Sequence, residues 1–192
     1  MASKIILLNG CSSSGKTSLV KAIQHLSDEF WLTFGIDNGI DAMPAKYVGG
    51  GEKAAEGFHF VSSVQNGVPL TEVKTGPIGE KVSNSVSKIV KLLADSGFNI
   101  IIDEVIWAKK DLENYVSALK SHTVYYVKVD CELSLMKERE ILRGDRSLGM
   151  AQFQHVKMKD LKWDYDFQVD TSQTSSFTNA KKILEFVKGN NP

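Results

Sequence analysis

Residues 4 to 17 read KIILLNGCSSSGKT, and this stretch decides the fold. The apolar run Ile5 to Leu8 precedes two glycines separated by four residues, and Lys16 and Thr17 follow the second glycine. A short apolar run that ends in a glycine-bounded turn and opens a helical pattern is typical of a buried strand, a phosphate-binding loop and a helix in succession. The stretch therefore predicts a nucleotide site within an α/β domain.

Each residue type in this loop suits phosphate binding. Glycines let the backbone turn tightly, so that successive N–H groups point at phosphate oxygens, and the following helix adds the positive end of its dipole. We expect Lys16 to reach the β- and γ-phosphates and the Thr17 hydroxyl to ligate Mg²⁺. A chance match in a surface loop is the alternative. The predicted nucleotide-binding residues are Gly10, Ser12, Ser13, Ser14, Gly15, Lys16 and Thr17.

Outward from this loop, short runs rich in Ile and Val alternate with longer segments of helical spacing. The alternation predicts βαβ units and a three-layer α/β architecture with a parallel sheet, and 192 residues suit a single domain. The predicted strands are Lys4 to Asn9, Phe30 to Ile36, Asn99 to Asp103, Thr123 to Asp130 and Phe167 to Asp170. The predicted helices are Lys16 to Leu26, Lys81 to Ser96, Leu112 to Ser121, Ser134 to Arg143 and Asn179 to Lys188.

The stretch from Asp37 to Thr75 lacks a clear period. It is rich in glycine and polar residues, and three consecutive glycines stand at positions 49 to 51. We expect a mobile loop there, around a hairpin at Gln65-Asn66-Gly67, because Asn-Gly is favoured in two-residue hairpin turns. Long loops within compact domains usually carry function or are disordered.

Composition excludes several classes of partner. The chain has 23 basic and 23 acidic residues, and no basic stripe of the kind that binds a phosphate backbone, so nucleic acid is not an expected partner. The cysteines, Cys11 and Cys131, lie far apart without zinc-ligand spacing and are predicted to be buried free thiols. The run Ile5 to Leu8 is too short for a signal peptide or a membrane span, so we expect a cytoplasmic protein with no membrane partner. The sequence predicts no particular oligomeric state.

A phosphate-binding loop also occurs in regulatory GTPases, which are a second class to consider. Guanine specificity in that class depends on an Asn-Lys-x-Asp stretch, and this chain contains no Asn-Lys pair. The Asp-x-x-Gly switch is absent as well. These two absences disfavour a GTPase.

Several further segments, together with the loop, resemble the chloramphenicol phosphotransferase family in order and spacing. They are FGID at 34–37 with AMP at 42–44, IIIDEV at 100–105, RGDR at 143–146 with GMA at 149–151, and YD at 165–166 with VDT at 169–171. The resemblance runs from about Lys4 to Thr171. It implies a fold similar to nucleoside monophosphate kinases, with a five-stranded parallel sheet in the order 2-3-1-4-5 and an arginine-bearing lid at about residues 143–156. It also implies transfer of the γ-phosphoryl group of ATP to a primary hydroxyl of an antibiotic, and hence antibiotic resistance.

Asp37 is the candidate general base. It follows the second predicted strand, at the sheet edge where open α/β folds bind ligands, and a carboxylate there can accept the proton of an attacking hydroxyl. The alternative is a turn former, since Asn38-Gly39 follows it. The family's catalytic base matches this position.

Asp103 and Glu104 end an apolar strand beside the predicted loop. Asp103 is a candidate for the Mg²⁺ site or the acceptor pocket, and the alternative is a cap of the next segment. Glu104 and the nearby Trp107 are candidates for the acceptor pocket, although core packing is an equal alternative for Trp107.

Three arginines, Arg139, Arg143 and Arg146, are spaced four and three residues apart. Guanidinium groups that converge on a lid would neutralise the charge on the transferring phosphoryl oxygens, and together with Asp37 and Lys16 they form the predicted catalytic set. A solvated charged face is the alternative, because Glu138 and Glu140 alternate with them.

The acceptor is the open question at this stage. The resemblance assigns no motif to the stretch from Gly50 to Lys74, which we expect to border the acceptor pocket. An apolar pocket would favour a chloramphenicol-like drug, whereas cationic or hydrogen-bonding groups around Asp37 would favour a sugar nucleotide, another metabolite or a nucleoside monophosphate. A nucleotide-binding protein without transferase activity is a third hypothesis.

Overall fold

The main sheet has five parallel strands. The computed structural model describes residues 3–144 and 147–190, and its strands are β1 (Lys4–Asn9), β2 (Trp31–Phe34), β3 (Val48–Gly49), β4 (Phe58–Gln65), β5 (Val68–Thr75), β6 (Asn99–Glu104), β7 (Thr123–Asp130) and β8 (Phe167–Asp170). The sheet order is β2-β6-β1-β7-β8. Counted along the chain, these five strands follow the order 2-3-1-4-5, which confirms the expected topology.

Helices cover both faces of this sheet, so the three-layer prediction is confirmed. They are α1 (Lys16–Leu26), α2 (Ile36–Asp41), α3 (Pro77–Asp95), α4 (Lys109–Leu119), α5 (Leu133–Arg143), α6 (Met150–Lys159) and α7 (Ser176–Gly189). Ile6 and Leu8 of β1 pack towards α1 and α7 on one face. Ile5 and Leu7 pack towards α3 and α4 on the other. A strand that is buried on both faces has an unbroken apolar sequence, and Ile5 to Leu8 form such a run.

Strand register places the functional segments side by side. Leu8 pairs with Asp103, and Asn9 pairs with Glu104. The carboxyl ends of β1 and β6 therefore meet at one sheet edge, where the loop after β1 lies next to the acidic end of β6. Within the described ranges, no helix has the length and apolar character needed to cross a membrane.

The expectation of a loop from Asp37 to Thr75 is wrong. This stretch contains most of α2 and a small second sheet in the order β3-β4-β5. The hairpin at Gln65-Asn66-Gly67 is confirmed, with φ of 52° at Asn66 and 76° at Gly67. Its strands are mostly exposed or half-buried, so their apolar alternation is too weak in the sequence to predict strands.

Helix α6 was not predicted and occupies much of the expected lid segment. The buried carboxylate of Glu140 accepts hydrogen bonds from the backbone N–H groups of Gly149 (2.7 Å) and Ala151 (2.9 Å). From the hairpin, the Thr71 hydroxyl donates to the Leu148 carbonyl at 2.7 Å. The first turn of α6 is therefore held between α5 and strand β5.

Gly149→Ala is expected to lower the free energy of unfolding by about 2–3 kcal/mol. Gly149 has a φ of +89°, and an added Cβ would lie 2.4 Å from the Pro69 carbonyl oxygen. Gly144 is the matched control, because its φ is +67° and an added Cβ would meet nothing within 4 Å. We expect Gly144→Ala to cost about 1 kcal/mol from backbone strain alone. Equal losses in urea unfolding of the two variants would contradict the close packing of Gly149 on the hairpin.

Candidate active site

The loop after β1 has the shape of a phosphate cradle. Ser13 and Gly15 have φ of 61° and 92°, and Gly15 precedes the first residue of α1. An added Cβ at Gly10 would lie 2.5 Å from the Val129 carbonyl oxygen, so glycine is required for the close approach to β7. The hydroxyl groups of Ser13 and Ser14 are buried without a hydrogen-bond partner among the described residues. Buried polar groups of this kind call for a polar ligand.

Lys16, Thr17 and Asp103 form one polar cluster against this loop. The buried Lys16 ammonium donates to the carbonyls of Gly10 and Cys11, both at 2.9 Å, and lies 3.7 Å from an Asp103 carboxylate oxygen. The Thr17 hydroxyl donates to the other Asp103 oxygen at 3.0 Å. A hydroxyl and a carboxylate at this separation are the hard oxygen ligands that Mg²⁺ prefers, so the residues present fit that ion.

Glu104 connects three elements at the floor of the cleft. Its Oε1 accepts hydrogen bonds from the Ile36 backbone N–H at 3.0 Å and from the Tyr115 hydroxyl at 2.6 Å. Burial, reinforced by the negative charges of Asp103 and Asp37, raises the pKa of Glu104 to about 7 in spite of these two hydrogen bonds. Because Ile36 is the first residue of α2, Glu104 fixes the start of the helix that carries Asp37.

Asp37 lies in the first turn of α2 and lines the cleft. The sequence placed it at the carboxyl end of a strand, but β2 stops at Phe34. The strand ends early because Asn38 accepts a hydrogen bond from the Gly35 backbone N–H at 2.9 Å, which caps the new helix. The correction shifts Asp37 from a strand end to a helix start at the same edge of the sheet.

Tyr115→Phe should lower the free energy of unfolding by about 1–3 kcal/mol, because it removes a hydrogen bond from a buried carboxyl group. Tyr126→Phe is a suitable control, since the Tyr126 hydroxyl makes no hydrogen bond to any residue within 3–144 or 147–190 and its ring packs on Trp163. We expect the control to stay within about 0.5 kcal/mol of the wild type. Chemical denaturation at pH 8 measures both, and an equal effect would contradict the role of the Tyr115 hydroxyl.

The two arginines of α5 line the cleft. Arg139 donates to the Thr171 carbonyl at 2.9 Å and to the Ser13 carbonyl at 3.4 Å, so it ties the phosphate loop to the end of β8. Arg143, one helical turn later, lines the same cleft. Arg146, the third predicted member, lies outside the described residues. The structure thus brings Arg139 and Arg143 to the cleft together with Lys16.

The cleft has a volume of about 1020 Å³ and extends from the phosphate loop to the small sheet. One wall is apolar, and helix α3 supplies a polar edge. Trp107 lines the cleft, and its ring also packs edge-on against that of Phe153 of α6, with 6.0 Å between ring centroids. It therefore contributes both to the cleft wall and to side-chain packing. The apolar wall consists of Val48, Phe58, Phe60 and Val73, and the polar edge of Ser83, Asn84 and Ser87.

Sequence reasoning missed several residues that organise the site. Asn9 donates to the Ile106 carbonyl (2.9 Å) and accepts from the Ile106 backbone N–H (2.7 Å), which fixes the segment after β6. Gln154 of α6 accepts a hydrogen bond from the Ser12 backbone N–H. Their partners lie about a hundred or more positions away in the chain, so no local pattern could reveal them. Both cysteines are free thiols, with Cys11 buried and Cys131 only partly buried.

Residues 3–188 match the family described as chloramphenicol phosphotransferase-like protein. A protein provisionally named an O-phosphotransferase in Mycobacterium tuberculosis strain H37Rv is 33% identical over 187 residues, which cover 95% of this chain and 81% of that protein. The counterpart in strain CDC 1551 matches to the same extent.

Several solved structures, including those of two kinases, share the fold. The Mycobacterium tuberculosis APS kinase in complex with AMPPNP and APS has a TM-score of 0.66 at 12% identity, with 97% of this chain and 98% of that chain covered. A Deinococcus radiodurans tunicamycin resistance protein has a TM-score of 0.64 at 14% identity, covering 96% and 95%. Shikimate kinase from Acinetobacter baumannii has a TM-score of 0.58 at 18% identity, covering 97% and 94%.

Proposed function

We propose chloramphenicol, or an antibiotic like it, as the phosphoryl acceptor, on the premise that this chain belongs to the chloramphenicol phosphotransferase-like family and is a kinase-type O-phosphotransferase. ATP is the proposed donor. The observation that carries the proposal is the buried Lys16 beside Asp103 and Thr17, at one end of a cleft whose other end has an apolar wall. The reaction would inactivate the drug and draw on cytoplasmic ATP.

The phosphate half of the cleft supplies positive charge. The N–H groups of the loop and the start of α1 bind the phosphates, and the Lys16 ammonium neutralises charge on the β- and γ-phosphoryl oxygens. Thr17 and Asp103 would hold Mg²⁺, which would neutralise negative charge on the phosphates. Arg139 and Arg143 add cationic groups from α5, and Arg146 is proposed as a third.

The acceptor half supplies the base. Asp37 is proposed to accept the proton of the acceptor hydroxyl as its oxygen attacks the γ-phosphorus in line with the departing ADP oxygen. The Glu104 hydrogen bond to Ile36 holds the neighbouring backbone in place. Positioning of the hydroxyl and the phosphate therefore supplies most of the rate enhancement.

The lining of the acceptor half favours an uncharged aromatic compound. Phe58, Phe60 and Val73 offer an apolar surface with two aromatic rings. Among the described residues, the cationic side chains that line the cleft are Lys16, Arg139 and Arg143, and these come from α1 and α5 rather than from the acceptor elements. An acceptor with a phosphate or sulfate group would need a cation there.

A second candidate is a sugar-containing acceptor. Ser83, Asn84 and Ser87 lie along one side of α3 towards the cleft, and their side chains have no hydrogen-bond partner among the described residues. Such a row suits vicinal hydroxyl groups.

Mass spectrometry of the purified protein with ATP, Mg²⁺ and chloramphenicol tests the proposal. We expect a singly phosphorylated drug with ATP and none with the non-hydrolysable analogue AMP-PNP. If no product forms although ATP binds, chloramphenicol is not the acceptor, and a panel of hydroxylated antibiotics and nucleosides is the next assay.

A further inference from the structure

Helix α6 carries a glutamine into the phosphate loop. Gln154 is 4% exposed, and its Oε1 accepts a hydrogen bond from the Ser12 backbone N–H at 2.5 Å. It also lines the cleft. Hydrogen bonds with Glu140 and Thr71 anchor the beginning of this helix, so the backbone that carries Gln154 is held in place.

The chemistry of the Ser12 contact determines which way the amide of Gln154 points. A backbone N–H can only donate, so the side-chain oxygen must face Ser12 and the NH₂ group must lie on the opposite side. That nitrogen has no hydrogen-bond partner among residues 3–144 and 147–190, and it is not fully buried. The amide therefore has a hydrogen-bond donor to offer to a ligand in the cleft.

The contact with Gln154 is made by the first half of the phosphate loop. Lys16, whose counterpart in such loops reaches the β- and γ-phosphates, lies with its ammonium 2.9 Å from the Gly10 and Cys11 carbonyl oxygens. Ser12 is the next residue of the loop. Its backbone N–H belongs to the same trans peptide unit as the Cys11 carbonyl, so the Gln154 amide and the Lys16 ammonium contact opposite sides of one peptide unit. That unit lies ahead of the helix start that receives the α- and β-phosphates, and both side chains line the cleft.

We propose that the Gln154 NH₂ group donates a hydrogen bond to an oxygen of the γ-phosphate, so that α6 distinguishes ATP from ADP. This inference rests on the proposed function, since it requires ATP in the loop. The Ser12 contact orients the amide, and the braced helix keeps that donor in place before the nucleotide arrives. Gln154 is thus a nucleotide-contacting residue, contributed from more than 130 positions beyond the loop.

Isothermal titration calorimetry with AMP-PNP and with ADP, both with Mg²⁺, tests the proposal without knowledge of the acceptor. Gln154→Glu keeps an oxygen for the Ser12 N–H but replaces the donor with a negatively charged oxygen. We expect its AMP-PNP affinity to fall tenfold or more, while its ADP affinity stays within about threefold. Gln154→Leu, which adds no charge, should show a smaller loss in the same direction.

Gln152→Glu is the matched control, because it makes the same change on α6 at a position that does not line the cleft. It should leave both affinities within twofold. If Gln154→Glu and Gln154→Leu each lose as much affinity for ADP as for AMP-PNP, Gln154 only supports the structure of the loop. If neither affinity changes, Gln154 does not contact the nucleotide. Either result overturns the proposal. A wild type that binds neither nucleotide would instead overturn the proposed function.

Discussion

Lys16→Ala is expected to reduce the rate of phosphoryl transfer by about 10³-fold. The Lys16 ammonium is buried, and it is the cation nearest to both the loop carbonyls and Asp103. Its removal takes away the ammonium group that lies 3.7 Å from the Asp103 carboxylate and that is proposed to neutralise the phosphoryl oxygens. Nucleotide affinity should therefore fall as well, by about tenfold or more.

The exposed Lys21 on the same helix provides the control. Lys21→Ala makes the same change in composition and charge, and we expect its turnover and its ATP affinity to remain within twofold of the wild type. Turnover is measured as phosphorylated chloramphenicol formed at saturating ATP and Mg²⁺. Affinity is measured by calorimetry. A Lys16→Ala variant with near-normal transfer would show that the loop does not hold the reacting phosphates.

The part of the site that follows from the sequence is the part built from neighbours along the chain. The strand Lys4–Asn9, the loop after it and the helix Lys16–Leu26 have the predicted bounds, because burial, the glycines and the helix start are all encoded within about twenty residues. The acidic residues at the end of β6 were predicted for the same reason. An apolar run that ends in two carboxylates is visible without knowledge of the fold.

The remainder depends on contacts between distant segments. Tyr115 meets Glu104 only because α4 folds back over the sheet edge, and Gln154 meets Ser12 only because α6 crosses the loop. Strands β4 and β5 were missed because their side chains are largely exposed, so apolar and polar residues do not alternate clearly along them. The same hairpin supplies Phe58, Phe60 and Val73, most of the apolar wall of the cleft, so the sequence did not identify the acceptor.

The hairpin also connects the apolar wall of the cleft to the start of α6. Val73 lines the cleft, and two residues earlier Thr71 holds the Leu148 carbonyl at the start of α6. An acceptor that packs against β5 would therefore contact the same strand that holds the beginning of α6 in place. Gly149, packed against the Pro69 carbonyl, strengthens this connection. Under the proposed function, acceptor specificity would therefore depend on the hairpin together with α6.

Asp37→Asn should lower transfer by about 10²–10⁴-fold and leave ATP affinity unchanged, the range observed when a general base is removed. Asparagine preserves the size and polarity of the side chain but cannot accept the proton of the attacking hydroxyl. Asp37 lies on the acceptor side of the cleft, on α2, whereas the phosphates are bound by the loop and α1. The effect should therefore appear in kcat and not in the Kd for ATP.

Asp41→Asn removes a carboxylate from the same helix and is the matched control. Asp41 is the last residue of α2, one turn beyond Asp37. The two variants therefore lose the same charge, but only Asp37 is close to the helix start that Glu104 holds in place. We expect Asp41→Asn to keep kcat within about threefold of the wild type. Comparable losses in both variants would assign the effect to the overall negative charge of the acceptor pocket. A selective loss at Asp37, with ATP affinity intact, is the pattern expected only of the base.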